Sequence, residues 1–168
     1  MSASTESYFI RSGRLKRVVS AAGQLKSHAD TTRDGDLLSV ASMVQSLISE
    51  SNYLVGIPDE SYPTRFSGNE LNLDSMDDGV TIRAELKAGE LGRVLAAVTQ
   101  TSKKLRDAGD QMTETADLLV KILTVMKAEE YRGKTHQVAS FDPLGERLGT
   151  LPGKSFYVIA ILGLVVKI

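Results

Sequence analysis

Gly13-Arg14-Leu15-Lys16-Arg17-Val18 returns later in the chain as Gly89-Glu90-Leu91-Gly92-Arg93-Val94, and the reading of this pair decides the fold. Both copies read G-x-L-x-R-V, and Ala21 and Ala97 follow at the same offset. Further on, Gln24 to Asp30 lies over Lys104 to Asp110, Asp36-Leu37-Leu38 over Asp117-Leu118-Leu119, and Tyr53 over Tyr131, with small gaps between these blocks. The spacing predicts one unit written twice. Its period is too long for a solenoid of short repeats and suits a pseudo-symmetric domain.

Outward from the first copy, Leu15, Val18, Val19, Ala22 and Leu25 recur at three- and four-residue intervals, which predicts a helix over 14–28 with Arg14, Lys16, Arg17 and Lys26 off its apolar stripe. Tyr8-Phe9-Ile10 before it is a short β-like run, read as an edge strand or as a staple for the helix. Asp30 to Asp36 is polar, and Asp36 is the predicted cap of a second helix over 37–51. That helix carries Leu37, Val40, Ala41, Val44, Leu47 and Ile48 on one side and serines on much of the other. Tyr53 to Ile57 is a brief apolar exit closed by Pro58.

Residues 58–79 read as a long acidic loop. Val80 to Leu86 then alternates apolar and polar residues, the pattern of a half-buried strand. The second motif opens a helix over 90–107 with Leu91, Val94, Leu95, Val98 and Leu105 on its stripe. A fourth helix over 111–129 carries Met112, Ala116, Leu119, Ile122, Leu123 and Met126. After an irregular stretch at 132–154, Phe156 to Val166 is uninterruptedly apolar. It is shorter than the ~20 residues of a spanning helix and rich in Val and Ile, which predicts a strand buried on both faces. The expected pairing is between 80–86 and 156–166. The fold class is therefore α+β, predominantly helical, with two related helix-pair units sharing one core and a small sheet: a strand-helix-helix unit with the acidic loop and a strand at 1–88, and a helix-helix unit with the C-terminal apolar strand at 89–168.

Composition narrows the chemistry. The 168 residues contain no cysteine or tryptophan, are 5% aromatic and carry a formal charge of −1. Thiol catalysis, disulfides and thiolate metal sites are excluded, and no global field favours nucleic acid. The polar first residues do not form a secretory signal, so a cytoplasmic location or one inside a particle is expected.

His28 and His136, the only histidines, lack metal-ligand spacing. Asp74, Asp78, Gly79 and Glu85 fall at four positions of a calcium loop, but Met76 stands where an oxygen ligand is needed. There is no nucleophile elbow and no phosphate loop. No catalytic residue, cofactor or metal is assigned.

The expected function is that of a non-catalytic structural or assembly subunit, packing against copies of itself or into a larger protein assembly. Phe156, Val158, Ile161 and Leu164 are its expected apolar anchors, and Arg14, Arg17, Asp74, Asp77 and Asp78 its polar contacts. An alternative is a nucleic-acid-binding accessory protein using Arg14, Lys16, Arg17, Lys103, Lys104 and Arg106. Another is a peripheral or tail-anchored membrane protein, held through its last apolar stretch.

Overall fold

The computed structural model of the chain describes residues 4–55 and 64–131. Within them the protein is a mixed α+β fold, mainly helical, with four α-helices and one five-stranded antiparallel sheet. Strand β1 (Thr5–Arg11) runs straight into helix α1 (Ser12–Thr32). Helix α2 (Gly35–Ser49) and strand β2 (Asn52–Val55) follow. Strand β3 (Thr64–Ser67) and a short 3-10 turn (Leu73–Ser75) lead to strand β4 (Thr81–Lys87). Helix α3 (Glu90–Asp107), helix α4 (Thr113–Ala128) and strand β5 (Glu130–Tyr131) complete the described chain. The sheet order is β3-β2-β4-β1-β5.

The predicted helices are all present, because each has an apolar stripe at helical spacing with a sheet face to cover. Helix α1 extends beyond the predicted His28 to Thr32 and stops where Arg33 turns left-handed at φ 58°. The cap of α2 is Asp34 and not Asp36: Leu37 N donates to Asp34 Oδ1 at 3.1 Å, and Asp36 sits inside the first turn. Once Arg33 has reversed the chain, Asp34 is the residue left in extended geometry with its carboxylate facing the free amides.

The strands depart further from expectation. Tyr8 to Ile10 belongs to a seven-residue strand that lies inside the sheet between β4 and β5, neither an edge nor a staple. The predicted exit at Tyr53 is β2, and the predicted acidic loop contains β3. The partners of β4 are β1 and β2. The predicted strand over 156–166 lies outside the described residues, as does the irregular stretch over 132–154.

Strands β1 and β4 pair in a register centred on Tyr8 and Ala84, with Thr5 opposite Lys87 and Arg11 opposite Thr81. Ala84 also faces Tyr53 of β2. Both tyrosines are 2% exposed, so the small residue between them leaves room for two large rings on one face. Ile10, Ile82 and Leu86 share that face, and one core cluster joins it to all four helices. Helix α1 packs on α2 and α4, and α3 packs on the same two.

Residues that alternate with the core positions face the opposite side of the sheet. There Phe9 meets Tyr131 edge-to-face at 5.7 Å, and the Arg83 guanidinium lies 4.6 Å from the Tyr131 ring centroid.

The two G-x-L-x-R-V motifs each start a helix, and four buried positions of the two helices share one spacing. Leu15, Val18, Ala22 and Ala29 on α1 stand as Leu91, Val94, Val98 and Leu105 do on α3. Their first glycines differ. Gly13 is already helical, and its N–H donates to Asp78 O at 2.8 Å. Gly89 sits before its helix at φ 81°, and its N–H donates to Glu6 Oε1 at 3.0 Å. A side chain at position 89 would be strained, so the turn from β4 into α3 needs glycine.

Candidate functional site

Several of the polar groups that sequence reading offered for chemistry hold one element to another. At the start of α1, Ser12 N donates to Val80 O at 2.8 Å, and Ser12 Oγ donates to Asp77 O while accepting from Val80 N. One turn on, Lys16 Nζ donates to Met76 O at 2.7 Å and to Asp78 Oδ1 at 2.8 Å. Lys16, offered as a nucleic-acid contact, and Asp78, offered as a polar contact of an assembly, thus meet within one chain. The hydrogen bond and charge of Lys16 hold the Asp78 carboxyl below its usual range.

The others are spread over the surface. Asp74 is exposed on the 3-10 turn, and the Asp77 side chain is exposed beside the α1 clamp. Arg14 is half-buried and Arg17 exposed. Lys103 and Lys104 are exposed near the end of α3, whereas Arg106 donates to Asp117 of α4. The two basic clusters therefore lie at opposite ends of their helices, one at the start of α1 and one at the end of α3. Phe156, Val158, Ile161, Leu164 and His136 lie outside the described residues.

His28 Nε2 sits 3.3 Å from the Asp110 carboxylate, joining α1 to the turn between α3 and α4. Glu85 takes Arg65 across the sheet and has Arg83 at 3.5 Å. It is thus held among arginines on β4 while Asp78 is held by Lys16, so the calcium-loop positions are not brought to one point. Among the described residues no group of three or more His, Asp or Glu side chains could hold a metal ion.

Asp110, Asp117 and Glu6 are all held below the usual carboxylate range. For Asp110 the main cause is the Met112 backbone N–H, with His28 adding to it. For Asp117 it is the Ser102 hydroxyl and then Arg106. For Glu6 it is the Gly89 backbone N–H and then Tyr8. A carboxylate depressed on folding stabilises the native state above its unfolded pKa, and that contribution is lost as pH falls through the folded value. Stability is therefore expected to be level near neutrality and to fall below about pH 4. Asp117→Asn should flatten that acid limb, and urea midpoints measured between neutral and acid pH test it. An unchanged limb would show that Asp117 does not contribute.

Sequence reading missed a groove. It runs between α1, α2 and the segment that follows β3, with a volume of about 510 Å³. Val19, Ile48, Leu71 and Leu73 give it apolar walls, and Asp74 lies on its polar side. Val19, 43% exposed, is the only large hydrophobic residue among the described ones to be so open. The groove owes its shape to Gly68: a Cβ there would stand 2.3 Å from Ile48 O and 2.5 Å from Ser49 O. Only glycine lets the chain leaving β3 lie directly on the last turn of α2. The visible signal was Val19, an apolar residue next to Val18 at the edge of the α1 stripe.

Among the described residues no helix is long and apolar enough to cross a membrane. In comparison with known proteins, no family model matches the chain, and no curated protein or solved structure does.

Proposed function

We propose that the chain is a non-catalytic assembly subunit, a folded α+β body that packs against copies of itself or into a larger protein assembly. Phe156, Val158, Ile161 and Leu164 are its apolar anchors, with Arg14, Arg17, Asp74 and Asp77 contributing polar contacts at the surface. The observation that carries the reading is the division of labour among side chains. Lys16–Asp78, His28–Asp110, Arg106–Asp117 and Arg65–Glu85 join separate elements of the body, while an apolar groove stays open beside Val19.

The runs β1-α1-α2-β2 and β4-α3-α4-β5 are, in the same reading, an internal duplication whose second unit opens at β4 and not at residue 89. Its support is the shared burial spacing of α1 and α3 and the antiparallel pairing of β1 with β4 about Tyr8 and Ala84. Like elements paired about one point are what a twofold dimer makes. Counted from Gly13 and Gly89, Ala29 and not Leu25 stands level with Leu105.

Light scattering coupled to size-exclusion chromatography, at moderate salt and without detergent, tests the function. The full chain is expected at a discrete multiple of 18.2 kDa, and a chain ending at Pro152 at a single mass. A full-length monomer would overturn self-association.

A further inference from the structure

We propose that the groove between α1 and α2 is the seat for the apolar segment Phe156–Val166 of a second copy of this chain. The inference rests on the assembly reading above and names the surface that receives the anchors. Val19, Ile48, Leu71 and Leu73 supply apolar walls between polar groups, and a segment whose only polar side-chain atom is the Tyr157 hydroxyl gains most from such walls. Charge is also complementary: Lys167 follows the apolar run directly, and Asp74 lines the groove, whose one lining cation among the described residues, Lys16, is already paired with Asp78.

The assembly reading, and not reach, selects a second molecule over the same one. The described chain leaves the sheet at Tyr131 on β5, whereas the groove borders Gly68, just after β3 at the opposite edge. Residues 132–155 connect Tyr131 to the apolar run, and at about 3.3 Å per residue they reach roughly 80 Å when extended. That is ample to reach the groove of the same body or of a neighbouring one, and the assembly reading takes the neighbour. Each copy would then offer a segment and a groove at separate places. Such a contact is head-to-tail and builds rings or open chains.

The test places a photoreactive p-benzoylphenylalanine at Val19 of the full chain, where the exposed position leaves the core untouched. Equal amounts of ordinary and nitrogen-15-labelled protein are mixed, irradiated and mapped by mass spectrometry, alongside the chromatography above. Cross-links from position 19 to residues 155–168 that join labelled to unlabelled chains are expected. Val19→Asp, with its fold checked by circular dichroism, should shift the assembled mass to that of a single chain. Cross-links confined within one chain would overturn the second-copy assignment. An assembly that keeps its mass in Val19→Asp and gives no cross-link to the segment would overturn the groove while leaving the assembly reading in place. A monomer at every concentration with no such cross-link would overturn both.

Discussion

Gly68→Ala is expected to lower unfolding stability by about 3 kcal/mol or more. The new methyl group would stand 2.3 Å from Ile48 O, 2.5 Å from Ser49 O and 2.6 Å from Ser49 Cα. These are backbone atoms, and no side chain can swing aside to relieve the crowding. The Ile48 carbonyl also accepts from the Tyr53 hydroxyl at 2.7 Å, and Gly68 N donates to Ser51 O at 3.0 Å. Any shift that makes room would pull on both bonds. Burial pushes the Tyr53 phenol well above its usual range, so it stays a protonated donor, and leaving it unpaired inside the protein costs about 1–3 kcal/mol. Urea unfolding followed by far-ultraviolet circular dichroism measures the effect, and a midpoint equal to the parent would refute the close approach. The same variant should disturb the groove, because Gly68 is part of its lining.

Leu15→Ala and Leu91→Ala are each expected to cost about 3 kcal/mol, within the range for emptying a fully packed leucine site. Leu15 is 2% exposed and Leu91 0%, and each lies in the first turn of a helix that leaves a sheet strand. A duplicated unit predicts similar losses at the two positions, with midpoints shifted and denaturant slopes unchanged. A large loss at one and none at the other would mean that the shared motif does not mark equivalent packing.

Helices were legible because their cause is local. Val40, Val44, Leu47 and their counterparts on α4 declare a face at helical spacing, whatever lies against it. Strand β4 was legible for a similar reason, since Ile82, Ala84 and Leu86 alternate with polar residues. Strand β2 has four residues and β5 two, too few to show a period. Their identity as strands comes from partners far along the chain, Ala84 for Tyr53 and Tyr8 for Glu130. Such pairing leaves no mark in a local window. The cap of α2 was misplaced because Asp34 and Asp36 are equally suitable by type, and the left-handed turn at Arg33 decides between them. The groove was illegible for a further reason: its lining comes from α1, α2 and residues 68–74, which only the folded chain brings together.

The place of β1 has a consequence for synthesis. It is made before both of its neighbours in the sheet, β4 and β5, and β2 is separated from it by β4. Until β4 is made, β1 therefore has nothing to pair with, whereas β2 and β3 can already pair with each other. At roughly 5–20 residues per second, several seconds pass before β4 follows. During that interval Tyr8, Phe9 and Ile10 are exposed apolar residues on an open strand, the kind of segment that chaperones hold. The nascent chain should stay sensitive to protease until Tyr131 is clear, and then become resistant in one step.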